Sequence, residues 1–290
     1  MYILIIYYIK SDIYNLIILN LKISEMNDVL TRFITAMVCI VISLSCLLYN
    51  IYTLSIYFTT ITLICLFEYH YKIDSNRKKI TILLSGVIYL IPTLVILEIM
   101  NAKYLNFILP LIMSLFSIEL FLGQKNPMLS IGTDLIGIVW ICVPMFLSIF
   151  LSYKNGSYDP RLIIGIMNLV FFGDTGAYFF GKYLGSTKLY PSISPKKTWE
   201  GVLGGALVTM IIRYPITYYF TFLDRIDWLI ITLICIICGV VGDLIESMFK
   251  RDLKVKDTGN ILPGHGGITD RVDSLLYAVP FVYSYLEIMK

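Results

Sequence analysis

The chain has 290 residues, of which 58% are hydrophobic and only 15% are charged, and its formal net charge is +3. A soluble domain usually has about 25% charged and 45–50% apolar residues, so the composition excludes an ordinary soluble globule and indicates an integral membrane protein. The small net charge gives no reason to expect nucleic acid as a partner, whereas membrane lipid is expected to surround the chain.

Residues 1–25 form an apolar N-terminal extension that Lys10 and Asp12 interrupt. We expect it to be either an extra helix or a mis-called start, because Met26 opens a second plausible N-terminus. It has no small-residue cleavage site, so a signal peptide is not expected.

Nine apolar runs follow, each roughly 17–22 residues long, which is the length that crosses a bilayer as a helix. The backbone in lipid must satisfy its own hydrogen bonds, and these runs lack the alternation of a β-barrel. The predicted fold class is therefore all-α, a polytopic integral membrane bundle of about nine transmembrane helices. Residues 26–160 are predicted to hold the N-terminal helices, and residues 161–290 the remaining helices with two polar loops. The predicted spans are 33–49, 50–67, 80–99, 105–122, 131–151, 161–181, 200–219, 228–249 and 272–289.

The basic residues predict the orientation of the bundle. If residues 26–32 are cytoplasmic, the alternate connections place fifteen Lys and Arg residues on that side and five on the other. Cytoplasmic loops carry an excess of Lys and Arg, so the two glycine-rich loops, 182–199 and 250–271, are predicted to face the cytoplasm together.

Acidic residues within the predicted spans are the first candidates for chemistry, because an intramembrane charge is costly unless a function retains it. Asp243, Ser247 and Lys250 share one helical stripe, and Asp270 and Asp273 open the next span. If these helices are neighbours, Asp243 and Asp270 can converge. Oxygen ligands with few His or Cys nearby suit Mg²⁺. Asp174 and Glu246 are the other acids of this kind.

The basic residues of the two polar loops suit a polyphosphate. Lys196 and Lys197 precede "TWEG", which opens a span, and helix N-termini attract phosphate. The turn "PGHGG", which contains His265, is a possible anion nest. The cations of the second loop are Lys250, Arg251, Lys254, Lys256 and Arg271.

Each of these features also has a structural interpretation. Asp270 could be the N-cap of the last helix with Asp273 in its first turn. The cations could be membrane anchors, and Asp174 could be a polar contact between helices. The acids near span ends, Glu68, Glu98 and Glu119, are interpreted mainly as interfacial. Cys235 and Cys238 form a CxxC within a span and are interpreted as packing residues.

The segment from Ser247 to Asp273, "SMFKRDLKVKDTGNILPGHGGITDRVD", resembles the signature of the phosphatidate cytidylyltransferases, with no departure from its pattern. The segments "GDTGAYFFGKYLG" and "SISPKKTWEGVLGG" are similar to other motifs of that family and occur in the expected order. The similarity extends from about residue 165 to the end, and the first half matches only in being hydrophobic.

The resemblance implies that CTP and phosphatidate react to CDP-diacylglycerol and pyrophosphate with the help of a divalent metal. The family's metal-binding aspartates match Asp243 and Asp270, so the expected cofactor is Mg²⁺, with room for a second, monovalent cation. The implied catalytic residues are Lys250, Arg251, Lys256, Asp257, His265, Arg271 and Asp273. The implied substrate-binding residues are Asp174, Ser194, Lys196, Lys197, Glu200 and Ser247. The resemblance also implies a homodimer in a bacterial inner membrane with the active site facing the cytoplasm.

Two other functions stay open at this point. A polyprenol kinase that uses CTP would transfer the γ-phosphate and release CDP rather than pyrophosphate. A transporter could use Asp174, Asp243 and Asp270 as a proton or ion relay. The long basic loop argues against a relay, which rarely needs a polyphosphate site.

Overall fold

A computed structural model describes residues 30–72, 78–122, 126–154, 156–264 and 266–289. Most of these residues are helical, and the two short hairpins of the described chain lie in connections between helices. The predicted extension at residues 1–25 and His265 lie outside the described residues.

The first half of the chain consists of helices that follow one another closely. They are α1 (Leu30–Tyr49), α2 (Ile51–Lys72), α3 (Lys78–Ile96), a 3₁₀ helix (Ala102–Phe107) that leads into α4 (Ile108–Leu122), α5 (Pro127–Gly137), and a π-helical turn (Ile138–Cys142) that continues into α6 (Val143–Phe150).

The second half carries four long helices and two β-hairpins. They are the hairpin β1–β2 (Tyr153–Lys154 and Ser157–Tyr158), α7 (Arg161–Tyr183), the hairpin β3–β4 (Lys188–Tyr190 and Ser194–Thr198), α8 (Trp199–Tyr219), α9 (Arg225–Asp252) and α10 (Thr269–Met289).

The predicted fold class is confirmed. Within the described residues, eight helices are long and apolar enough to cross a membrane. The last predicted span corresponds to α10, which is 21 residues long and carries acidic residues at its start. Each of the nine predicted spans coincides with a helix or with two helices joined end to end, with boundaries that differ by a few residues.

Glycines allow α7 and α8 to pack at very short range. A Cβ atom added at Gly205 would lie 2.8 Å from the carbonyl oxygen of Gly173, and one at Gly201 would lie 2.8 Å from that of Ala177. Small residues let helix backbones approach in a membrane, where packing rather than the hydrophobic effect holds helices together. This contact fixes the position of α8 and of the hairpin that precedes it.

A glycine also allows α9 and α10 to pack at very short range. A Cβ atom at Gly242 would lie 2.9 Å from the carbonyl oxygen of Asp273 and 2.8 Å from Cβ of Tyr277. The residue after Gly242 is Asp243, so the contact brings the acidic stretch of α9 against the first turns of α10. At the opposite end of the bundle, the buried Trp228 donates from Nε1 to the carbonyl of Phe220 at 3.0 Å.

Candidate active site

Four polar residues of α9 form one stripe close to its C-terminal end, as the helical spacing predicts. They are Asp243, Glu246, Ser247 and Lys250. The hydroxyl of Ser247 lies 3.4 Å from Oδ1 of Asp243 one turn away. The stripe faces α10 and the loop between the two helices, so the apolar remainder of α9 is left for lipid and for the bundle.

Three carboxylates converge between α9 and α10. Oxygens of Asp243, Glu246 and Asp273 all lie within 4.8 Å of one another. Glu246 and Asp273 are buried, with 1% and 6% of their surface exposed. The Oε1 atom of Glu246 is buried and has no hydrogen-bond partner within the described chain. Mutual repulsion makes such a group costly unless a cation joins it, and hard oxygen donors suit a divalent cation. The donor set therefore fits a metal ion.

Lys250 connects this cluster to Asp270. Its Nζ lies 2.8 Å from Oδ1 of Asp270 and 2.5 Å from Oε2 of Glu246. Both carboxylates are almost fully buried, at 4% and 1% side-chain exposure, and Lys250 itself is 15% exposed. Asp270 and Glu246 thus face one point in space from two different helices.

The second oxygen of Asp270 is held by the loop. Its Oδ2 accepts hydrogen bonds from the backbone of Thr258 at 3.0 Å, from the Thr258 hydroxyl at 2.9 Å and from the backbone of Gly267 at 3.0 Å. The alternative in which Asp270 is the N-cap is wrong, because α10 begins at Thr269 and Asp270 lies inside its first turn.

Lys197 reaches the cluster from the other polar loop. It lies on β4, and its Nζ is 2.6 Å from Oδ2 of Asp243. The next residue, Thr198, caps α8 by accepting the backbone N–H of Gly201 at 3.2 Å. The cap ends the strand and begins the helix, which places Lys197 at the helix N-terminus as the sequence predicts.

A second contact joins the two polar loops. Arg251 donates from Nε to the carbonyl of Ile193 at 3.1 Å. Because Arg251 and Ile193 belong to the predicted loops 250–271 and 182–199, these two loops meet on one face of the bundle, which we call the charged face. Glu200 stabilises the loop before α8 by accepting hydrogen bonds from the Ser186 hydroxyl at 2.7 Å and from the Thr187 backbone N–H at 3.0 Å.

Asp174 lies on α7 beside an apolar groove between α7, α8 and α9. The Ser274 hydroxyl is 3.4 Å from its Oδ1, and Asp243, Lys197 and Arg271 are close enough to interact with it electrostatically. The groove is lined mainly by small and aliphatic residues, among them Gly173, Gly205, Ala206, Gly239 and Val240.

The remaining predicted residues are distributed around this centre. Ser194 begins β4 and is half-buried, and four charged residues are exposed: Lys196, Lys256, Asp257 and Arg271. His265 lies outside the described residues, but its neighbours Gly264 and Gly266 have positive φ angles of 73° and 86°. Leu262 and Gly266 exchange backbone hydrogen bonds.

Two of the glutamates near span ends are buried within the protein. Glu68 on α2 and Glu119 on α4 are each 3% exposed. Glu68 contacts the N-terminus of α10 through several hydrogen bonds. A lone Glu near the end of an apolar run has no local pattern that distinguishes it from an interfacial residue. Cys235 is buried with Cys238 in α9, as expected of packing residues.

The chain belongs to the cytidylyltransferase family, whose sequence profile matches residues 30–289. The resemblance seen in the three motifs is thereby confirmed. The motifs that carry the site residues lie within the matched range.

Individual relatives carry a more specific description. A phosphatidate cytidylyltransferase of Bacillus subtilis is 38% identical over 188 residues, which are 60% of this chain and 67% of the relative. The protein of that name from Staphylococcus aureus is 44% identical over 132 residues, or 45% of this chain and 50% of the relative. The Haemophilus influenzae protein is 37% identical over 172 residues, or 56% and 58%. The aligned chain thus spans between half and two thirds of these relatives.

Proposed function

We propose that this protein transfers the cytidylyl group of CTP to phosphatidate and releases CDP-diacylglycerol and pyrophosphate, a step of phospholipid biosynthesis. The family assignment and the relatives named above support this reaction. The observation that carries it is the meeting of Asp243, Glu246, Lys250 and Asp270 with Lys197 at one membrane face. Lys197 belongs to the motif SISPKKTWEGVLGG, Lys250 and Asp270 belong to the signature from Ser247 to Asp273, and Asp243 and Glu246 lie just before that signature.

The reaction places anions against anions. The phosphate of phosphatidate is already ionised near neutral pH, because its second pKa is about 6, so no base is needed to activate it. One of its oxygens forms a bond to the α-phosphorus of CTP, while the bond from that phosphorus to the bridging oxygen of the β-phosphate breaks. Pyrophosphate leaves with the electron pair. The task of the protein is to reduce repulsion and to align the groups.

The acidic cluster fits Mg²⁺. Asp243 and Asp270 are our proposed ligands, and Glu246 and Asp273 lie close enough to complete the set or to orient it. When bound, the metal supplies positive charge to the phosphate oxygens. A second, monovalent cation is compatible with the number of carboxylates.

The cations of the charged face stabilise the negative charge of the departing pyrophosphate. Lys197 and Lys250 are held among the acids, whereas Lys196, Lys256 and Arg271 are exposed and can fold over a bound nucleotide. Removal of one preorganised donor of this kind typically costs about 10²–10³ in rate. Ser194, Ser247, Asp257, His265 and Arg251 stay predicted contributors, and Glu200 supports the loop that carries Lys196.

The membrane positions the lipid. Asp174 lies beside an apolar groove lined by α7, α8 and α9, and we propose that the headgroup approaches the acidic cluster along this groove. We expect the acyl chains to stay in the bilayer while the headgroup reaches the charged face. The excess of Lys and Arg supports a cytoplasmic orientation in a bacterial inner membrane, and a homodimer stays a prediction.

The decisive experiment is incubation of the purified protein with phosphatidate, Mg²⁺ and CTP labelled at either the α- or the γ-phosphate. We expect the α-label to enter the lipid extract and the γ-label to appear as pyrophosphate. Appearance of the γ-label in the lipid with CDP in water would identify a kinase. Solute flux in sealed vesicles without CTP consumption would identify a transporter.

A further inference from the structure

Glu68 is a buried carboxylate that the catalytic motifs do not include. It lies near the C-terminal end of α2, some two hundred residues before its partners in the sequence. Its Oε1 accepts the backbone N–H of Ile268 at 3.0 Å. Its Oε2 accepts the backbone N–H of Thr269 at 2.9 Å and the Thr269 hydroxyl at 2.8 Å. Both oxygens are therefore used.

These bonds satisfy backbone N–H groups at the start of α10, as the side chain of an N-cap residue would. The first N–H groups of a helix have no partner within the helix, and an anion there also interacts favourably with the helix dipole. A carboxylate from α2 thus fixes where α10 begins. Asp270 and Asp273 follow in the first two turns, so their positions depend on that starting point.

A second path leads from Glu68 to the same acids. The Thr258 hydroxyl lies 3.4 Å from Oε2 of Glu68 and 2.9 Å from Oδ2 of Asp270. Gly259 is pressed against Glu68 so closely that a Cβ atom there would collide with the carboxylate. The carboxylate is therefore enclosed by the loop as well as by the helix, and the loop cannot shift without moving it.

We infer that Glu68 is a positioning residue, which holds segment 258–270 so that Asp270 and Asp273 face the acids of α9 at the geometry a metal requires. The inference rests on the proposed function for its catalytic meaning, but its structural content can be measured without any turnover. Hydrogen-bonded partners behind metal ligands typically change metal affinity or activity by about 10–100-fold when they are removed.

The test is Glu68→Gln, which keeps the size of the side chain but presents an amide N–H₂ to backbone donors. Two readouts need no activity. Hydrogen–deuterium exchange of segment 258–270 should accelerate about tenfold or more, and Mn²⁺ binding, titrated by EPR, should weaken by about tenfold. Glu68→Asp should restore part of both if its shorter side chain still reaches the N–H groups.

Glu119→Gln is the matched control, because Glu119 is equally buried but lies on α4, which packs on α3 and α5. It should leave both readouts at their wild-type values. If Glu68→Gln fails to fold, Thr269→Val removes the hydroxyl that donates to Oε2 of Glu68 while leaving α2 intact, and it should change both readouts in the same direction.

Wild-type exchange in segment 258–270, or unchanged Mn²⁺ affinity, in a folded Glu68→Gln variant would overturn the inference. Failure of the wild-type protein to make CDP-diacylglycerol would overturn the proposed function instead. The exchange and EPR results would still decide whether Glu68 positions the acids.

Discussion

Lys197 and Asp243 form an ion pair with 2.6 Å between Nζ and Oδ2, although the first lies on a loop strand and the second within a membrane helix. The pair joins the motif that contains Lys197 to the part of α9 that lies just before the signature at Ser247. A cation from the hairpin and a proposed metal ligand of α9 are thus in direct contact. Substitution of Asp243 and substitution of Lys197 should therefore have different effects on the reaction.

Asp243→Asn should abolish cytidylyl transfer, with a loss of at least about 10²–10³ in rate, because a metal ligand and its negative charge are both removed. Product formation from labelled CTP measures the loss. Asp159→Asn is a control that removes a carboxylate outside the helices. Hydrogen bonds from Arg161 lower the pKa of Asp159, so this carboxylate is also ionised at neutral pH. Near-normal activity of purified Asp243→Asn would remove Asp243 from the metal site.

Lys197→Ala should raise the CTP concentration needed for half-maximal rate by about tenfold or more, because one cation that faces the phosphates is lost. Initial rates measured over a range of CTP concentrations give this value. Lys188→Ala removes the same charge from β3 of the same hairpin and should leave the CTP dependence as it is. Equal behaviour of the two variants would contradict a specific role for Lys197.

Lys250→Met should destabilise the fold as well as stop turnover. It leaves Glu246 and Asp270 buried without their shared cation, and breaking a buried ion pair costs on the order of 3 kcal/mol. Thermal unfolding in detergent measures the change. Lys254→Met, at an exposed position of the following loop, should unfold like the wild type. A Lys250→Met protein of unchanged stability would show that the acids do not depend on this lysine.

Gly205→Ala should weaken the contact between α7 and α8, because its Cβ would lie 2.8 Å from the carbonyl oxygen of Gly173. Forcing extra atoms into a packed interface typically costs about 1–3 kcal/mol. Gly132→Ala on α5 has no atom within 4 Å of the added Cβ and should unfold no earlier than the wild type. The comparison of the two melting temperatures tests the packing, and equal values would argue against it.

The fold was predictable because the apolar runs have the length of a membrane span and because a backbone in lipid has few ways of satisfying its own hydrogen bonds. That acids of α9 and α10 face one another was also predictable, since the two helices are consecutive. The structure brings Asp273 within 4.8 Å of Asp243, whereas Asp270 meets Glu246 through Lys250. The π-helical turn at Ile138–Cys142 and the hairpin of β1 and β2 have no comparable signal in composition. They depend on local packing that hydropathy does not record.

Glu68 shows where sequence reasoning ends. Its partners are backbone N–H groups of residues far along the chain, and backbone groups leave no trace in a sequence motif. Glu246 was visible as an intramembrane acid, but only the geometry shows that its carboxylate contacts Lys250 and lies within 4.8 Å of oxygens of Asp243 and Asp273. Glu200 follows a motif lysine pair, yet its observed contacts tie the loop together.

The glycine contacts divide the second half of the bundle into two tightly joined helix pairs, α7 with α8 and α9 with α10. Separating the members of either pair would break backbone-level contact, whereas the groove that contains Asp174 runs along the boundary between them. Any widening of this groove would therefore require the two helix pairs to move apart as units, because motion within a pair would break its backbone contacts.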